Sequence, residues 1–136
     1  MKILFVVPEI RLDSKPTIVP FWAGILASIV ENKNGQVAIL DLNALRMKFG
    51  GKQVPTQVII DEISSQDWDL VGIGGLTTTY GRIKELSPLL KKYAPNALIV
   101  GGGGWSTYNP HEILQLIPGL DLIVLGEGET TFSELY

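Results

Sequence analysis

Short apolar runs recur along the chain at residues 3–7, 37–42, 70–73, 97–100 and 122–125. Each run is continuous instead of alternating, which is the pattern of strands covered on both faces of a parallel sheet. The segments between them carry helical spacing. Phe21, Ile25 and Ile29 form a stripe with Trp22, Leu26 and Val30 beside it, and Pro20 suits a helix start. Val58, Ile59 and Ile63 follow Pro55-Thr56 and predict a shorter helix. Ile83, Leu86, Leu90 and Tyr93 share a face, and Pro88 inside that pattern predicts a kink or a late start. Asn109, Pro110 and Glu112 read as cap, first helical residue and capping-box partner, with Pro118-Gly119 as the stop. Thr131 and Glu134 repeat the capping spacing ahead of Phe132 and Leu135. The last residue, Tyr136, comes about one turn later, so a fragment of a longer protein is expected.

Five strands alternating with helices predict an α/β fold, a doubly wound five-stranded parallel sheet of flavodoxin-like order 2-1-3-4-5 with right-handed crossovers. In such a sheet ligands bind beyond the carboxyl ends of the strands, near the switch between strands 1 and 3. The segments to inspect are therefore 8–19, 74–81, 101–109 and 126–131, and three of the four are rich in glycine. The run Gly101-Gly102-Gly103-Gly104 leaves the fourth strand directly, and a backbone without Cβ atoms lets a ligand approach closely. A ligand shelf accounts for this better than a flexible loop.

Composition narrows the chemistry. The 136 residues fit one domain, and 46% hydrophobic with 18% charged residues is globular. A net charge of −3 without a basic run gives no footprint for nucleic acid. With no cysteine and one histidine, His111, the chain has no disulfide, no thiolate cluster and no histidine-based metal centre. Pro8 and Glu9 cut the first apolar run too short for a signal peptide, and the run 18–30 is too short and proline-broken to span a bilayer. A soluble cytoplasmic protein, bound to no membrane, is expected.

The first loop lacks G-x-G-x-x-G and no P-loop is present, which disfavours nucleotide or flavin binding. Asp41 reads as a turn residue closing its strand. Gly74-Gly75-Leu76-Thr77-Thr78-Thr79 sets hydroxyls and free backbone donors at a helix start, where an amide or anion binds readily. Thr79 alone reads as a cap, whereas Thr77 and Thr78 are equally consistent with capping and with ligand contact. Gly126-Glu127-Gly128-Glu129 has two carboxylates but neither nucleophile nor metal ligand beside them, so it reads as a ligand edge or a helix cap instead of an acid–base pair. His111 is expected in solvent. Trp105 and Tyr108 are placed either to cover a flat ligand or to pack at the rim.

Four stretches together resemble a known family: Lys2-Ile3-Leu4-Phe5-Val6-Val7-Pro8, Val37-Ala38-Ile39-Leu40-Asp41, Asp69-Leu70-Val71-Gly72-Ile73, and Val100-Gly101-Gly102 followed by 121–129 with its G-E-G-E ending. They resemble the cobalamin-binding domain at the N-terminus of many radical S-adenosylmethionine enzymes, over nearly the whole chain. In the wider family a D-x-H-x-x-G histidine binds cobalt, an S-x-L meets the nucleotide tail, and a G-G pair lies along it. Residues 8–20 contain no histidine, Gly74-Gly75-Leu76 stands in the S-x-L place, and Gly101-Gly102 match the pair. The resemblance implies base-off cobalamin without a histidine ligand, held by Pro8, Glu9, Gly74, Gly75, Leu76, Thr77, Thr78, Gly101, Gly102, Gly103, Trp105, Gly126, Glu127, Gly128 and Glu129. Glycines at 74, 75, 101 and 102 would open a slot for the tail, and a side chain at Gly101 or Gly102 would close it. It implies no catalytic residue and no metal ligand in this chain. The 4Fe-4S cluster and S-adenosylmethionine would belong to a following radical S-adenosylmethionine domain, the expected protein partner, in an enzyme expected to be a methyltransferase. The alternative is a substrate-recognition or interaction domain that keeps the fold without cobalamin.

Overall fold

The computed structural model describes residues 1–17 and 19–135. Ile18, the first residue of the run 18–30, and Tyr136 lie outside the described residues. Five strands, β1 (Lys2–Val7), β2 (Gln36–Asp41), β3 (Leu70–Gly75), β4 (Leu98–Gly103) and β5 (Leu122–Val124), form one parallel sheet of order β2-β1-β3-β4-β5. This is the expected order, with the switch between β1 and β3. Among the described residues six α-helices accompany it: α1 (Phe21–Asn32), α2 (Leu42–Leu45), α3 (Thr56–Ile63), α4 (Tyr80–Tyr93), α5 (Pro110–Leu116) and α6 (Gly128–Leu135). Among the described residues no helix is long and apolar enough to cross a membrane.

The pleat divides the core into two layers. Ile3, Phe5, Val7, Leu70 and Val100 pack against Ala23, Ala27 and Val30 of α1 and Phe132 of α6. Leu4, Val6, Val71, Ile73 and Ile99 face the other way, onto Ile59 and Ile63 of α3, Ile83, Leu86 and Leu90 of α4, and Ile113 of α5. The continuous apolar runs were expected to mean burial on both faces. That holds for β1 and β3 and for most of β4, but not for the edge strands, where Ile39 and Leu122 are exposed.

Local chemistry corrects several element boundaries. On α1 the buried face is Ala23, Ala27 and Val30, whereas Phe21 is 73% exposed and Ile25 is also exposed. The small alanines let the helix sit close to the sheet, which rotates the bulkier stripe outward. Pro88 lies inside one helix that begins at Tyr80, so the late start is not seen; the Ser87 hydroxyl donates to the Ile83 carbonyl at 2.8 Å. Asn109 precedes Pro110 as expected, but no capping bond forms, because its amide donates to the Glu112 carboxylate instead. Thr131 is interior to α6, which already starts at Gly128. The sequence pattern missed α2 and the 3₁₀ turn Arg46–Phe49, although Asp41 closes its strand and caps α2 by accepting from the Asn43 and Ala44 N–H groups. The stop at Pro118-Gly119 has a steric cause: Gly119 has φ +96°, and a Cβ there would lie 2.4 Å from the Ser87 carbonyl oxygen of α4.

The similar phrases that begin at Asp69 and Asp121 perform one task twice. Asp69 pairs by backbone with Lys2, and its carboxylate accepts the Lys2 N–H at 2.6 Å. Asp121 pairs by backbone with Ile99, and its carboxylate accepts the Ile99 N–H at 2.8 Å. Each aspartate thus locks the register one residue before its strand begins. Lys91 also bonds Asp121 at 2.8 Å.

Burial works against the charge on Asp121, but the Ile99 N–H and the Lys91 ammonium together outweigh it and hold the carboxyl below its ordinary value. A lowered folded-state pKa stabilises the fold above the unfolded value of about 3.9, and that contribution is lost as pH falls through the lower folded value. Asp121→Ala is therefore expected to cost about 1 kcal/mol at pH 7, with the gap from the parent shrinking below about pH 4. Urea unfolding across pH checks this; coincident midpoints at pH 7 would contradict it.

Candidate cofactor-binding site

A cavity of about 560 Å³ lies between the sheet and the α1/α6 layer and opens at the carboxyl ends of β1, β3 and β4. Its floor follows from the pleat. Gly72 and Gly74 on β3 and Gly102 on β4 occupy alternate positions that face this layer, so three places that would carry side chains carry none. A Cβ on Gly102 would meet nothing closer than 3.7 Å, so that position opens freely into the cavity. Gly74 is bare for a different reason: its Cβ would lie 2.9 Å from the Trp22 ring. Gly72 likewise admits Phe5, whose ring would be 2.8 Å from a Cβ there. Phe5 also stands edge-on to Trp22, with centroids 5.9 Å apart, and tilted against Phe132 at 5.5 Å. These aromatic contacts close the inner walls.

The other two glycines of the expected slot face the opposite layer. A Cβ on Gly75 would strike the Thr79 hydroxyl at 2.2 Å, and one on Gly101 would lie 2.9 Å from the Trp105 ring. Both lend only backbone to the cavity lining, so a side chain at Gly101 collides with Trp105 before it reaches the slot. Gly103 has φ +101°, and a Cβ there would come within 2.5 Å of the Gly75 carbonyl oxygen. Glycine is thus required where the ends of β3 and β4 run closest.

The remaining expected residues divide between lip and core. Pro8, Leu76, Gly126, Glu127, Gly128 and Glu129 line the cavity around its mouth. Thr77 and Thr78 are exposed and stand outside the lining, while Thr79, read only as a cap, is buried and lines it, donating to the Leu76 carbonyl at 2.7 Å. Trp105 is turned into the α4/α5 core, where its indole N–H donates to the Gly102 carbonyl at 2.7 Å and its ring lies 6.4 Å from Tyr80. It stands outside the cavity lining, and Tyr108, three residues on, is 94% exposed. Glu9 also turns away: it is buried, accepts from the Val54 N–H at 3.1 Å, and pairs with Arg82 at 2.8 Å. His111 is exposed on α5 and outside the lining. Among the described residues no group of three or more histidines, cysteines or acids is placed to hold a metal.

Sequence reasoning missed Gly72, Trp22, Asn43 and Phe132. Asn43 accepts from the Ile10 N–H at 2.9 Å and donates to the Pro8 carbonyl at 2.8 Å, so it shapes the lip made by the first loop. The signal for Gly72 was period-two alternation, since it lies two residues before Gly74; Trp22, which fills the space above Gly74, carries no such local signal.

A family model described as the B12 binding domain matches residues 10–136. The chain belongs to the B12-binding domain family. Its relatives differ in reaction. An anaerobic magnesium-protoporphyrin IX monomethyl ester cyclase of Synechocystis sp. is 41% identical over 66 residues, 48% of this chain and 13% of that protein. An uncharacterized methyltransferase of Pyrococcus horikoshii is 31% identical over 99% of this chain and 28% of its own length. The cobalamin-dependent radical SAM methyltransferase TokK of Streptomyces tokunonensis is 27% identical over 85% of this chain and 16% of that protein. The matched part of the chain therefore spans 13% to 28% of the length of these curated relatives. Among solved structures, the radical S-adenosylmethionine methyltransferase TsrM from Kitasatospora setae, with cobalamin and a 4Fe-4S cluster bound, shares the fold. It matches 98% of this B12-binding chain and 24% of its own, with a TM-score of 0.78 at 23% identity.

The opposite facing of neighbouring glycines separates two substitutions. Gly101→Ala is expected to destabilise the B12-binding domain by about 1–3 kcal/mol through overpacking against Trp105, whereas Gly102→Ala should change stability by less than about 1 kcal/mol. Equal losses for the two in urea unfolding would show that the glycines do not face opposite layers.

Proposed function

We propose that this chain binds cobalamin with its nucleotide tail in the α1/α6 cavity and the corrin across the carboxyl edge of the sheet, base-off, with no histidine on cobalt. The observation that carries this is the open position at Gly102, walled by Phe5 over Gly72 and Trp22 over Gly74, in an apolar cavity at the sheet's switch point of a member of the B12-binding family. The residues fit the group. Gly102 leaves open space where a side chain would stand, and the aromatic walls suit a flat base.

Each part of the chain then has a role. Gly102 keeps the floor bare, Gly74 makes room for the Trp22 wall, Leu76 and the backbone of Gly75, Gly101 and Gly103 form one lip, and Gly126, Glu127, Gly128 and Glu129 form the facing lip. Pro8, fixed by Asn43, closes the mouth over β1. Glu9 and Trp105 act behind these groups, holding the first loop and the end of β4 in place. When bound, cobalamin supplies a cobalt centre able to carry a methyl group. Support for base-off binding without histidine comes from the absence of histidine in residues 8–20 and from the position of His111 outside the lining. We place the chain in a radical S-adenosylmethionine enzyme whose 4Fe-4S cluster and S-adenosylmethionine sit in a separate domain, with methyl transfer the favoured reaction on the likeness to TokK.

Titration of the purified protein with hydroxocobalamin, followed by its visible spectrum, is expected to show saturable binding, and Gly102→Val to weaken it at least tenfold. Absence of binding would sink the cofactor reading and leave the interaction-domain alternative. Unchanged affinity in Gly102→Val would place the tail elsewhere. Reduced to cobalt(II), the bound cofactor is expected to lack the nitrogen splitting of a coordinated imidazole in electron paramagnetic resonance; its presence would refute the axial-ligand claim.

A further inference from the structure

If the cavity holds a cobamide's tail, as proposed above, its lining also determines which tail it accepts. The polar side chains of the lining, Asn43, Thr79, Thr107, Glu127 and Glu129, all follow the carboxyl ends of strands and so stand at the mouth. Further in, the side chains are Phe5, Trp22, Leu26, Leu70, Val100 and Phe132. Their one polar atom is the indole N–H of Trp22, a donor. The strand backbone at this depth offers nothing more, because Phe5, Leu70, Gly72 and Val100 all lie where their strands are paired on both sides. A base seated there finds hydrocarbon and aromatic faces, and no acceptor for an amino group.

We infer that this chain selects among cobamides by the chemistry of the lower base, accepting flat hydrocarbon-rich bases such as dimethylbenzimidazole or a phenol and discriminating against adenine. Adenine is flat and fits by shape. Its exocyclic amine, however, gives up water on entry and meets no acceptor, and a buried donor left unpaired is penalised in full. One such group corresponds to roughly a tenfold loss of affinity or more. The ring nitrogens add to this, since the Trp22 N–H serves at most one of them. The two methyl groups of dimethylbenzimidazole, by contrast, gain from burial.

The test compares dissociation constants of the purified protein for four cobamides: cobalamin, a phenolyl cobamide, an adeninyl cobamide and cobinamide, which has no nucleotide tail. The phenolyl and adeninyl forms are the decisive pair, because a phenol cannot coordinate cobalt and adenine does so weakly, so neither affinity is distorted by breaking a cobalt–base bond. The expected result is phenolyl tighter than adeninyl by about tenfold or more, with cobinamide also weaker than phenolyl. Equal phenolyl and adeninyl affinities would overturn the selectivity while leaving cobalamin binding intact. Cobinamide as tight as the phenolyl form would show that the tail is not in the cavity, and no binding by any of the four would remove the cofactor reading itself. Leu26→Gln, which places an amide acceptor on a partly exposed position of the wall, is expected to narrow the phenolyl-to-adeninyl ratio. An unchanged ratio in a variant that still binds would locate the discrimination outside the cavity.

Discussion

At the carboxyl ends of β3 and β4 the in-register pairs Ile73–Gly101, Gly74–Gly102 and Gly75–Gly103 set two nearly bare backbones side by side, while the pleat sends successive positions to opposite layers. The rest of the site depends on that geometry. On one side, Gly72 and Gly74 admit the Phe5 and Trp22 rings as walls, and Gly102 leaves the space beside them open. On the other, Gly75 and Gly101 admit Thr79 and Trp105, which fix the strand ends from behind. One run of glycines therefore serves an opening and a packed support together, with adjacent residues assigned to different tasks.

The fold was largely legible because its signals are local and repeated. Unbroken apolar runs, proline at helix starts and glycine after strands each point to an α/β unit, and five units in sequence leave few topologies. The errors fall where one side chain competes with a general tendency. Ala23 and Ala27 bring α1 closer to the sheet than its larger residues would, so the buried stripe moves away from Phe21 and Ile25. Asn109 uses its amide on Glu112, and the cap is lost.

The site was legible in outline and not in facing. A pattern of glycines shows where backbone is bare, but whether a given glycine looks into a cavity or into a core is set by register, which pairs strands far apart in sequence. Trp105 illustrates this: it follows the glycines in sequence and looks placed to cover a ligand, yet its ring occupies the space that Gly101 vacates on the far side. Trp22, more than fifty residues before Gly74, does line the cavity, and nothing local in the sequence marks it.

The first loop is held by groups from outside it, and besides the Asn43 bonds to Pro8 and Ile10 two further anchors fix its course. Glu9 is tied to Arg82 and the Val54 N–H, and the guanidinium of the buried Arg46 donates to the Ser14 carbonyl as well as to that of Gly51. Arg11, Leu12 and Asp13 between these anchors are exposed. The path of the loop is thus set by its ends, and its crest is free to vary in sequence without moving the lip that Pro8 forms. A loop built this way separates the residues that shape the cavity's lip from an exposed crest whose side chains can change the surroundings of the mouth without moving it.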